Sequence, residues 1–322
     1  MSLSREIYVA PMIVFVDGLT RTGKSMLGPI LASFDRVEIE QVEEIIEYIG
    51  VLYGLGKIEC DAAVSMLRMK TDMLLYNSCI GRNTNFRFTD HSSVWRNPNP
   101  WRYFRRIFGP ERGTVLRLIQ QKKPIYQNQT HDQLMNFDLH YAAFGDRLRI
   151  AEMIRDPVDL IHSWIQRGWG ERFGVDPLAL TFCERFQGHD VPYYALDWEG
   201  LYVTLPPLAR VIRMIAGLWD NCMKTYRALA PAQQKQILII PFERFVQNPQ
   251  PYLAAIAGLL GSHATRYTAR ELRRQRCPRP YDVAARDRKY AEMLKQVSED
   301  ERCIMRRLIE EYEALLFSNA GA

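Results

Sequence analysis

The sequence has few of the features that mark nucleic-acid-binding, membrane-spanning or disulfide-bonded proteins. Its 322 residues include 42 Lys and Arg against 37 Asp and Glu, a net charge of +5, and these charges are interspersed along the chain. No apolar run reaches the roughly 20 residues that a helix needs to cross a bilayer. We therefore expect no nucleic-acid partner and no stable membrane insertion.

The six cysteines occur in no C-x-x-C pair, and none lies near a histidine at the spacing of a zinc site. These absences argue against a disulfide framework and a structural metal. We therefore expect the cysteines to be small core residues of a protein in a reducing compartment. A signal peptide is not visible either, because Ser4, Arg5 and Glu6 interrupt any apolar run near the first residue. The combination favours a soluble, cytoplasmic protein.

The most informative stretch of the chain runs from residue 12 to residue 33. Its apolar, β-branched residues 13–16 predict a buried strand, and the loop at residues 18–25 follows directly. The next apolar residues recur at helical spacing, at Met26, Leu27, Ile30 and Leu31. A glycine-containing loop between a strand and a helix start is typical of phosphate binding, because the backbone and the helix N–H groups can approach an anion. The alternative is an ordinary strand-to-helix turn.

Strands alternate with helices along the rest of the chain. Further strands are predicted at residues 37–40, 124–131, 148–154 and 236–240. Long helices are predicted at residues 42–55, 61–76, 207–229, 249–260 and 289–316. Such alternation is typical of a mostly parallel central sheet with helices on both faces. We predict an α/β fold in a single domain over residues 1–322, because 47% hydrophobic residues are enough for one large core.

Two stretches interrupt this alternation, and both are predicted to be insertions on the acceptor side of the site. Residues 168–206 form a long, weakly periodic connection, which is usually a lid or a binding loop. Residues 82–112 are rich in Asn, Pro, Arg and aromatic residues. The residues that suggest binding there are Trp101, Arg102, Tyr103, Phe104, Arg105 and Arg106. They either line a site for a sugar or an anionic group, or form a surface helix whose aromatic rings face the core.

Polar residues follow two of the predicted strands. Thr130 and His131 end the third strand, and Arg155 follows the fourth. Because ligands of open parallel sheets gather at the carboxyl ends of the strands, we expect these side chains to face the same crevice as the loop at residues 18–25. Asp156 is a predicted helix cap.

At three places the chain resembles the sulfotransferase superfamily, whose members transfer a sulfuryl group from 3′-phosphoadenosine-5′-phosphosulfate (PAPS). The loop residues Arg21, Thr22, Gly23 and Ser25 match the family's basic–small–Gly–hydroxyl pattern, while Lys24 stands where Thr or Ser is usual and makes the loop a formal Walker A motif. Arg155 and Ser163, eight residues apart, match the family's 3′-phosphate site. Residues 240–245, followed by Asn-Pro and an apolar helix, match a third family segment, with Phe242 in place of Tyr.

The resemblance, which covers roughly residues 12–261, implies PAPS as cofactor, 3′,5′-ADP as product and no metal. It implies that the 5′-phosphosulfate is held by Gly18, Thr20, Arg21, Thr22, Gly23, Lys24, Ser25 and Met26. The 3′-phosphate would be held by Arg155 and Ser163. Taken singly, Arg155 could instead pair with Asp156 or Asp159, and Ser163 could be an ordinary helix hydroxyl. The basic segment at residues 270–288 could close over the 3′-phosphate or be a surface loop.

Catalysis by in-line displacement needs a positive charge at the leaving oxygen and a general base for a hydroxyl acceptor. Arg21 and Lys24 are the candidate charges. His131 is the first candidate base, because Gln-Thr-His resembles the Lys-Thr-His of cytosolic small-molecule sulfotransferases. Glu43 and Glu40 are the alternatives, since some family members use a Glu just after the second strand.

The acceptor is expected to be a small molecule, a carbohydrate or a lipid-linked group, and the oligomeric state is not readable. One alternative function is an ATP-dependent small-molecule kinase, in which Ser25 would bind Mg²⁺ together with Asp90 or Asp156. A second alternative is a non-catalytic nucleotide-binding module. The pairing of Arg155 with Ser163 favours the sulfotransferase, because ATP has no 3′-phosphate.

Overall fold

The computed structural model describes residues 2–90 and 92–318. Its strands are β1 (Met12–Asp17), β2 (Ile125–Gln129), β3 (Leu148–Ile154), β4 (Cys183–Phe186), β5 (His189–Pro192) and β6 (Ile237–Pro241). Four of them form a parallel sheet in the order β2-β1-β3-β6, while β4 and β5 form a separate antiparallel hairpin.

Helices connect the strands throughout. The first seven are α1 (Lys24–Leu31), α2 (Glu44–Gly54), α3 (Cys60–Cys79), α4 (Pro100–Ile107), α5 (Gly113–Lys122), α6 (Phe137–Phe144) and α7 (Pro157–Ile165). The later ones are α8 (Glu199–Tyr202), α9 (Pro207–Ala228), α10 (Pro231–Gln234), α11 (Phe242–Gln247), α12 (Gln250–Leu260), α13 (Thr268–Arg274), α14 (Val283–Leu294) and α15 (Glu299–Ser318). Within the described ranges, none combines the length and the apolar composition needed to span a bilayer.

Both faces of the parallel sheet are buried. In β1, Ile13 and Phe15 belong to one apolar cluster, which also contains residues of α2, α3, α6, α7, α9 and α15. Val14 and Val16 belong to a second cluster, with residues of α1, α12 and α13. Because successive side chains of a strand point to opposite faces, helices cover the sheet on both sides. The predicted α/β class with a parallel central sheet is confirmed.

The strand order determines where a ligand can bind. Val16 pairs with Gln129 of β2 on one side and with Ala151 of β3 on the other, so the carboxyl ends of these three strands lie at the same edge of the sheet, where β3 extends two residues past Asp17. From β1 the chain reaches β2 on one side and then β3 on the other. Such a reversal of direction leaves a crevice at the carboxyl ends of the strands, into which the connecting loops project.

Residues 37–40 do not form the predicted second strand. Only single bridges, at Val37 and Gln41, join this segment to β2. The N–H of Glu38 donates to the Ile125 carbonyl oxygen at 3.0 Å, and the next N–H to reach β2 is that of Gln41, which donates to Gln127 at 3.1 Å. Because three residues of this segment oppose two of β2, the ladder is interrupted and the segment ends the sheet as an irregular edge. The N–H of Ile39 donates to the hydroxyl of Tyr103, at 2.6 Å.

The single C-terminal helix predicted at residues 289–316 is wrong, because α14 and α15 are separate helices. Residues 295–298 interrupt the helical run, and the Ser298 hydroxyl donates to the Glu301 carboxylate. Ser-x-x-Glu is the pattern of a capping box, so the sequence did carry the signal for a new helix start.

The prediction that the cysteines are core residues holds only in part. Cys222 and Cys277 are buried, whereas Cys60, Cys183 and Cys303 are exposed, and each of these is a free thiol. Small size and low polarity allow burial of cysteine but do not require it.

The expectation for residues 82–112 is also corrected. The aromatic rings of α4 do not share one face: Tyr103 is buried, whereas Trp101 is 67% exposed. Arg102 and Arg106 of the same helix point inward. By contrast, the predicted long connection at residues 168–206 lies next to the crevice, folded as the β4–β5 hairpin with short helical turns.

Candidate anion-binding and transfer site

The loop between β1 and α1 has an unusual backbone, since Gly18, Arg21 and Gly23 all have positive φ angles, of 127°, 76° and 106°. A side chain at Gly18 would place its Cβ 2.2 Å from the carbonyl oxygen of Met153, so only glycine fits against β3 there. Turns of this kind direct successive N–H groups to one side and form a concave anion-binding nest.

Several N–H groups of this loop have no acceptor. Those of Arg21, Gly23, Lys24 and Ser25 make no hydrogen bond within the described residues, and α1 begins at Lys24. The free N–H groups and the positive end of the helix dipole point in the direction from which a phosphate or sulfate approaches. The predicted phosphate loop therefore has the local geometry that anion binding requires.

Lys24 points away from this nest. Its ammonium group is buried under the loop, where it donates to the carbonyl oxygens of Gly18 and Leu19, the latter at 2.8 Å. Burial lowers the pKa of Lys24, while nearby carboxylates, led by Asp132 and Asp17, act in the opposite direction. The structure therefore makes Lys24 an internal support of the loop and leaves Arg21 as its exposed charge.

The structure brings together the three residues predicted to surround the anion. Arg21 Nε donates to the Ser163 hydroxyl at 3.3 Å, and Arg155 donates to the Arg21 carbonyl oxygen at 2.8 Å. Partial burial, with repulsion from Arg167 and Arg155, lowers the pKa of Arg21. Like charges gathered in this way stabilise a bound anion.

The carboxylates beside Arg155 are already occupied. Asp156 caps α7, accepting from Val158 N–H at 2.9 Å, and pairs with Arg286 at 3.3 Å. Asp159 pairs with Lys289 at 2.6 Å and accepts from a tyrosine hydroxyl at 2.9 Å.

The structural alternative for Arg155, an ion pair with Asp156 or Asp159, is therefore not what the structure contains. Within the described ranges, its only carboxylate neighbour inside 4.0 Å is Glu243, at that limit, and Arg155 Nε has no hydrogen-bond partner.

Phe242 connects the loop to the C-terminal basic segment. A Cβ at Gly23 would lie 2.4 Å from its ring, so the ring rests directly on the loop. The guanidinium groups of Arg155 and Arg279 lie 5.0 and 5.4 Å from the ring centroid. Arg279 is thus a further positive charge beside Arg155, which the sequence located only as somewhere within a basic segment.

A cavity of about 230 Å³ opens beside the loop. Its lining includes Thr20, Glu44, Glu47, His131, Asp132, Trp164, Trp169, Phe173, Phe182, Tyr193 and Tyr194. Trp164 closes the side nearest the loop, because its Nε1 donates to the Thr20 carbonyl oxygen at 2.7 Å. Largely aromatic walls with a few polar groups are typical of a small-molecule site.

His131 faces this cavity and is hydrogen-bonded to Glu47, with 2.9 Å between Nδ1 and Oε1. Burial, with repulsion from Lys24, lowers the pKa of His131. Burial raises the pKa of Glu47 to about 8, although Lys24 acts in the opposite direction. Thr130, expected in the crevice, is buried instead and donates to Asp17 at 2.9 Å.

The two glutamates proposed as alternative bases lie elsewhere. Glu40 is 2% exposed beneath α1, where its carboxylate oxygens have no partner and burial raises its pKa to about 8. Glu43 precedes α2 and pairs with Lys70 at 3.1 Å. Neither lines the cavity, whereas Glu47, one turn further along α2, does. Of the three candidates only His131 lines the cavity, and beside it lies Glu47, which the sequence reasoning missed.

The remaining loop residues make internal contacts. Thr22 donates to the Leu19 carbonyl oxygen at 2.8 Å, Ser25 donates to Gln129 at 3.3 Å, and Met26 accepts from Cys277. These contacts hold the loop between β2 and the C-terminal segment.

The carboxylates that a kinase would need are engaged elsewhere. Asp90 accepts from Asn85 at 3.1 Å and lies 3.4 Å from Arg87, and Asp156 is held by its helix cap and Arg286. In the part of the chain that the structure describes, His, Cys, Asp and Glu side chains form no group of three or more that could hold a metal ion.

Comparisons with known proteins add a distant likeness. No protein-family model and no curated protein matches the chain. Among solved structures, the sulfotransferase domain of the Synechococcus PCC 7002 olefin synthase is similar at 13% identity, over 97% of this chain and 98% of that one, with a TM-score of 0.49. The sulfotransferase domain from the curacin biosynthetic pathway is similar at 14% identity, over 81% and 77%, with a TM-score of 0.44.

Sulfotransferase STF1 from Mycobacterium tuberculosis H37Rv is similar at 11% identity, over 92% of this chain and 76% of that one, with a TM-score of 0.42. Likenesses this distant do not assign the chain to a family or give it an activity. The function has to be argued from the site.

Proposed function

We propose that this protein transfers a sulfuryl group from PAPS to a hydroxyl or amine of an acceptor bound in the cavity beside the loop. The observation that carries the proposal is the convergence of Arg21, Arg155 and Ser163 next to a loop whose N–H groups are free. Two anion sites side by side match a nucleotide with phosphates at both its 5′ and 3′ positions. ATP would leave the second site without a ligand.

The loop N–H groups and Arg21 hold the 5′-phosphosulfate and stabilise the charge that develops on the leaving oxygen. Arg21 has the main role because the Lys24 ammonium is engaged with loop carbonyl oxygens. Preorganised donors of this kind are usually the largest catalytic contribution, at about 10²–10³ in rate for each donor. PAPS supplies the sulfuryl group, and Arg155 and Ser163, with Arg279 nearby, hold its 3′-phosphate.

His131 accepts the proton of the acceptor. When Glu47 is ionised it accepts a hydrogen bond from Nδ1–H of His131, which leaves the Nε2 lone pair free to act as the base. The aromatic walls from residues 164–194 bind the body of the acceptor, a small molecule, a carbohydrate or a lipid-linked group.

Calorimetric titration with 3′,5′-ADP, 5′-AMP and ATP–Mg²⁺ tests the proposal. The protein is expected to bind 3′,5′-ADP more tightly than 5′-AMP, because only 3′,5′-ADP reaches Arg155. Arg155→Ala should weaken 3′,5′-ADP by about 10- to 100-fold, the value of a lost charge-assisted hydrogen bond, and leave 5′-AMP unchanged.

Arg117→Ala is the matched control, since Arg117 is exposed on α5, away from the site, and its loss changes the net charge equally. Equal affinity for 3′,5′-ADP and 5′-AMP would show that the protein has no 3′-phosphate site. Binding of ATP–Mg²⁺ alone would make a kinase the working hypothesis.

A further inference from the structure

Helix α4 is turned the opposite way from an ordinary surface helix. Trp101, Phe104 and Phe108 recur at helical spacing, and Trp101 and Phe108 are 67% and 88% exposed. Arg102 and Arg106, on the other face, both pair with Glu38, which is buried. The charged face is thus held inward and the aromatic face is presented to solvent, which nothing in the transfer site requires.

The exposed rings form one continuous cluster. Phe88 stacks on Trp95, with ring centroids 5.2 Å apart and 12° between the planes. Trp95 contacts Phe104 at 5.1 Å, Phe104 contacts Trp101 at 5.5 Å, and Phe86 contacts both Trp95 and Phe104. Together with Arg105 and Phe108, these rings constitute an aromatic–arginine surface. Exposed apolar patches of this kind mark interaction sites.

Positive charge is concentrated in the same segment. Residues 82–112 contain seven arginines and two carboxylates; without Arg102 and Arg106, which pair with Glu38, five arginines against two carboxylates leave a net charge of +3. Both carboxylates already have arginine neighbours, Asp90 with Arg87 at 3.4 Å and Glu111 with Arg82 at 4.0 Å. Within the described residues, Arg105 has no carboxylate within 4.0 Å and makes no hydrogen bond.

We propose that the aromatic–arginine surface binds the surface of an anionic lipid bilayer. Trp and Phe rings partition into the interface between headgroups and acyl chains, and arginines beside them meet the negative headgroups. The interaction is peripheral, because the helix lies on the membrane and does not span it.

Charge complementarity decides between lipid and a second copy of this chain. A twofold dimer through this surface would bring the same arginines against each other, which is unfavourable. Single-stranded nucleic acid needs open ring faces on which bases can stack, whereas one face of Trp95 is covered by Phe88. An anionic bilayer offers an apolar interface to the rings and negative headgroups to the arginines.

Co-sedimentation of the whole protein with vesicles tests the proposal. Binding is expected to vesicles containing about one third phosphatidylglycerol in phosphatidylcholine, to fall when NaCl rises from about 0.1 M to about 0.5 M, and to be absent for phosphatidylcholine alone. Arg105→Gln should weaken binding about fivefold. The double variant Trp101→Ser, Phe108→Ser should weaken it at least about tenfold, and because both side chains are exposed the fold is retained.

Arg288→Gln and Ile7→Ser are matched controls, since they remove an exposed arginine and an exposed apolar side chain outside this surface, and both should bind like the unaltered protein. Equal loss in the controls, or equal binding to both vesicle types, would overturn the proposal. So would displacement from vesicles by a short single-stranded oligonucleotide, or a concentration-dependent dimer that Phe108→Ser abolishes.

Discussion

At the scale of single residues, the proposed base His131 and its partner Glu47 lead us to expect a pH dependence of the site. Glu47 comes from α2 and His131 follows β2, so their contact joins residues 84 positions apart. A protonated Glu47 would donate to Nδ1 and place the remaining imidazole proton on Nε2, where a base needs a lone pair. Only the ionised carboxyl gives the productive tautomer.

We therefore expect the productive tautomer, and with it the transfer rate, to increase as pH rises through about 8, the raised pKa of Glu47. Below that pH the pair holds its shared proton on the carboxyl. Imidazole ¹⁵N chemical shifts measured from pH 6 to pH 9, roughly, report this change without an acceptor, and the apparent pKa belongs to the coupled pair.

Glu47→Gln should remove the step near pH 8, because an amide does not titrate. Glu44→Gln is the control, since Glu44 lines the same cavity but makes no hydrogen bond with His131. Because the charge of Glu44 raises the pKa of Glu47, this variant should move the step to lower pH and not abolish it. Persistence of the step in Glu47→Gln would show that another group sets it.

At the scale of secondary structure, the inward-facing side of α4 depends on one buried carboxylate. Glu38 accepts from Arg106 at 2.6 and 2.9 Å, from Arg102, and from the Tyr103 hydroxyl at 3.0 Å. Although burial raises it, the pKa of Glu38 is lowered to about 2 because the charges of Arg102 and Arg106 outweigh burial.

Glu38→Gln is expected to destabilise the protein by about 3 kcal/mol, because it leaves two arginines against an uncharged group. Since the folded pKa lies below the ordinary value of 4.5, the stabilisation is complete above that value and is lost as pH falls toward 2. Urea denaturation at neutral pH measures the change in the free energy of unfolding.

Glu111→Gln serves as the control for this prediction, because its pair with Arg82 is exposed and contributes about 0–1 kcal/mol. A cost for Glu38→Gln no larger than that of the control would mean that Glu38 does not hold α4 in place.

At the scale of the whole molecule, the site joins regions that are far apart in the chain. The loop after β1, the end of β3, the start of α11 and the segment from α13 to α14 meet at Arg21, Arg155, Phe242 and Arg279, respectively. If the proposed nucleotide binds there, it contacts several of these segments at once and should stabilise them together.

We expect 3′,5′-ADP to raise the melting temperature of the whole protein. At 100 times its Kd, a ligand that binds only the folded state contributes about 2.7 kcal/mol. Differential scanning fluorimetry should show one shifted transition with 3′,5′-ADP and none with adenosine, which lacks both phosphates. An equal shift with adenosine would show that binding depends on the nucleoside and not on the phosphates at the anion sites.

The parts of the molecule that the sequence predicted well are governed by interactions between near neighbours in the chain. The apolar period of β1, the glycines of the loop and the cap at Asp156 depend on backbone preferences and side-chain spacing within about ten residues. The same local rules gave four of the five long helices close to their observed bounds, and they placed Arg155 at the end of a strand beside the loop.

The parts that required the folded structure are contacts between distant segments. Nothing local distinguishes Glu47 from Glu43 as the partner of His131, and nothing local shows that Lys24 turns beneath its own loop. The sequence left open which side chains of α4 face inward, because its pattern does not show that Glu38, more than 60 positions away, draws the arginines inward. Burial and charge pairing of this kind are decided only when the sheet and its helices pack, since they depend on the side chains that tertiary structure brings together.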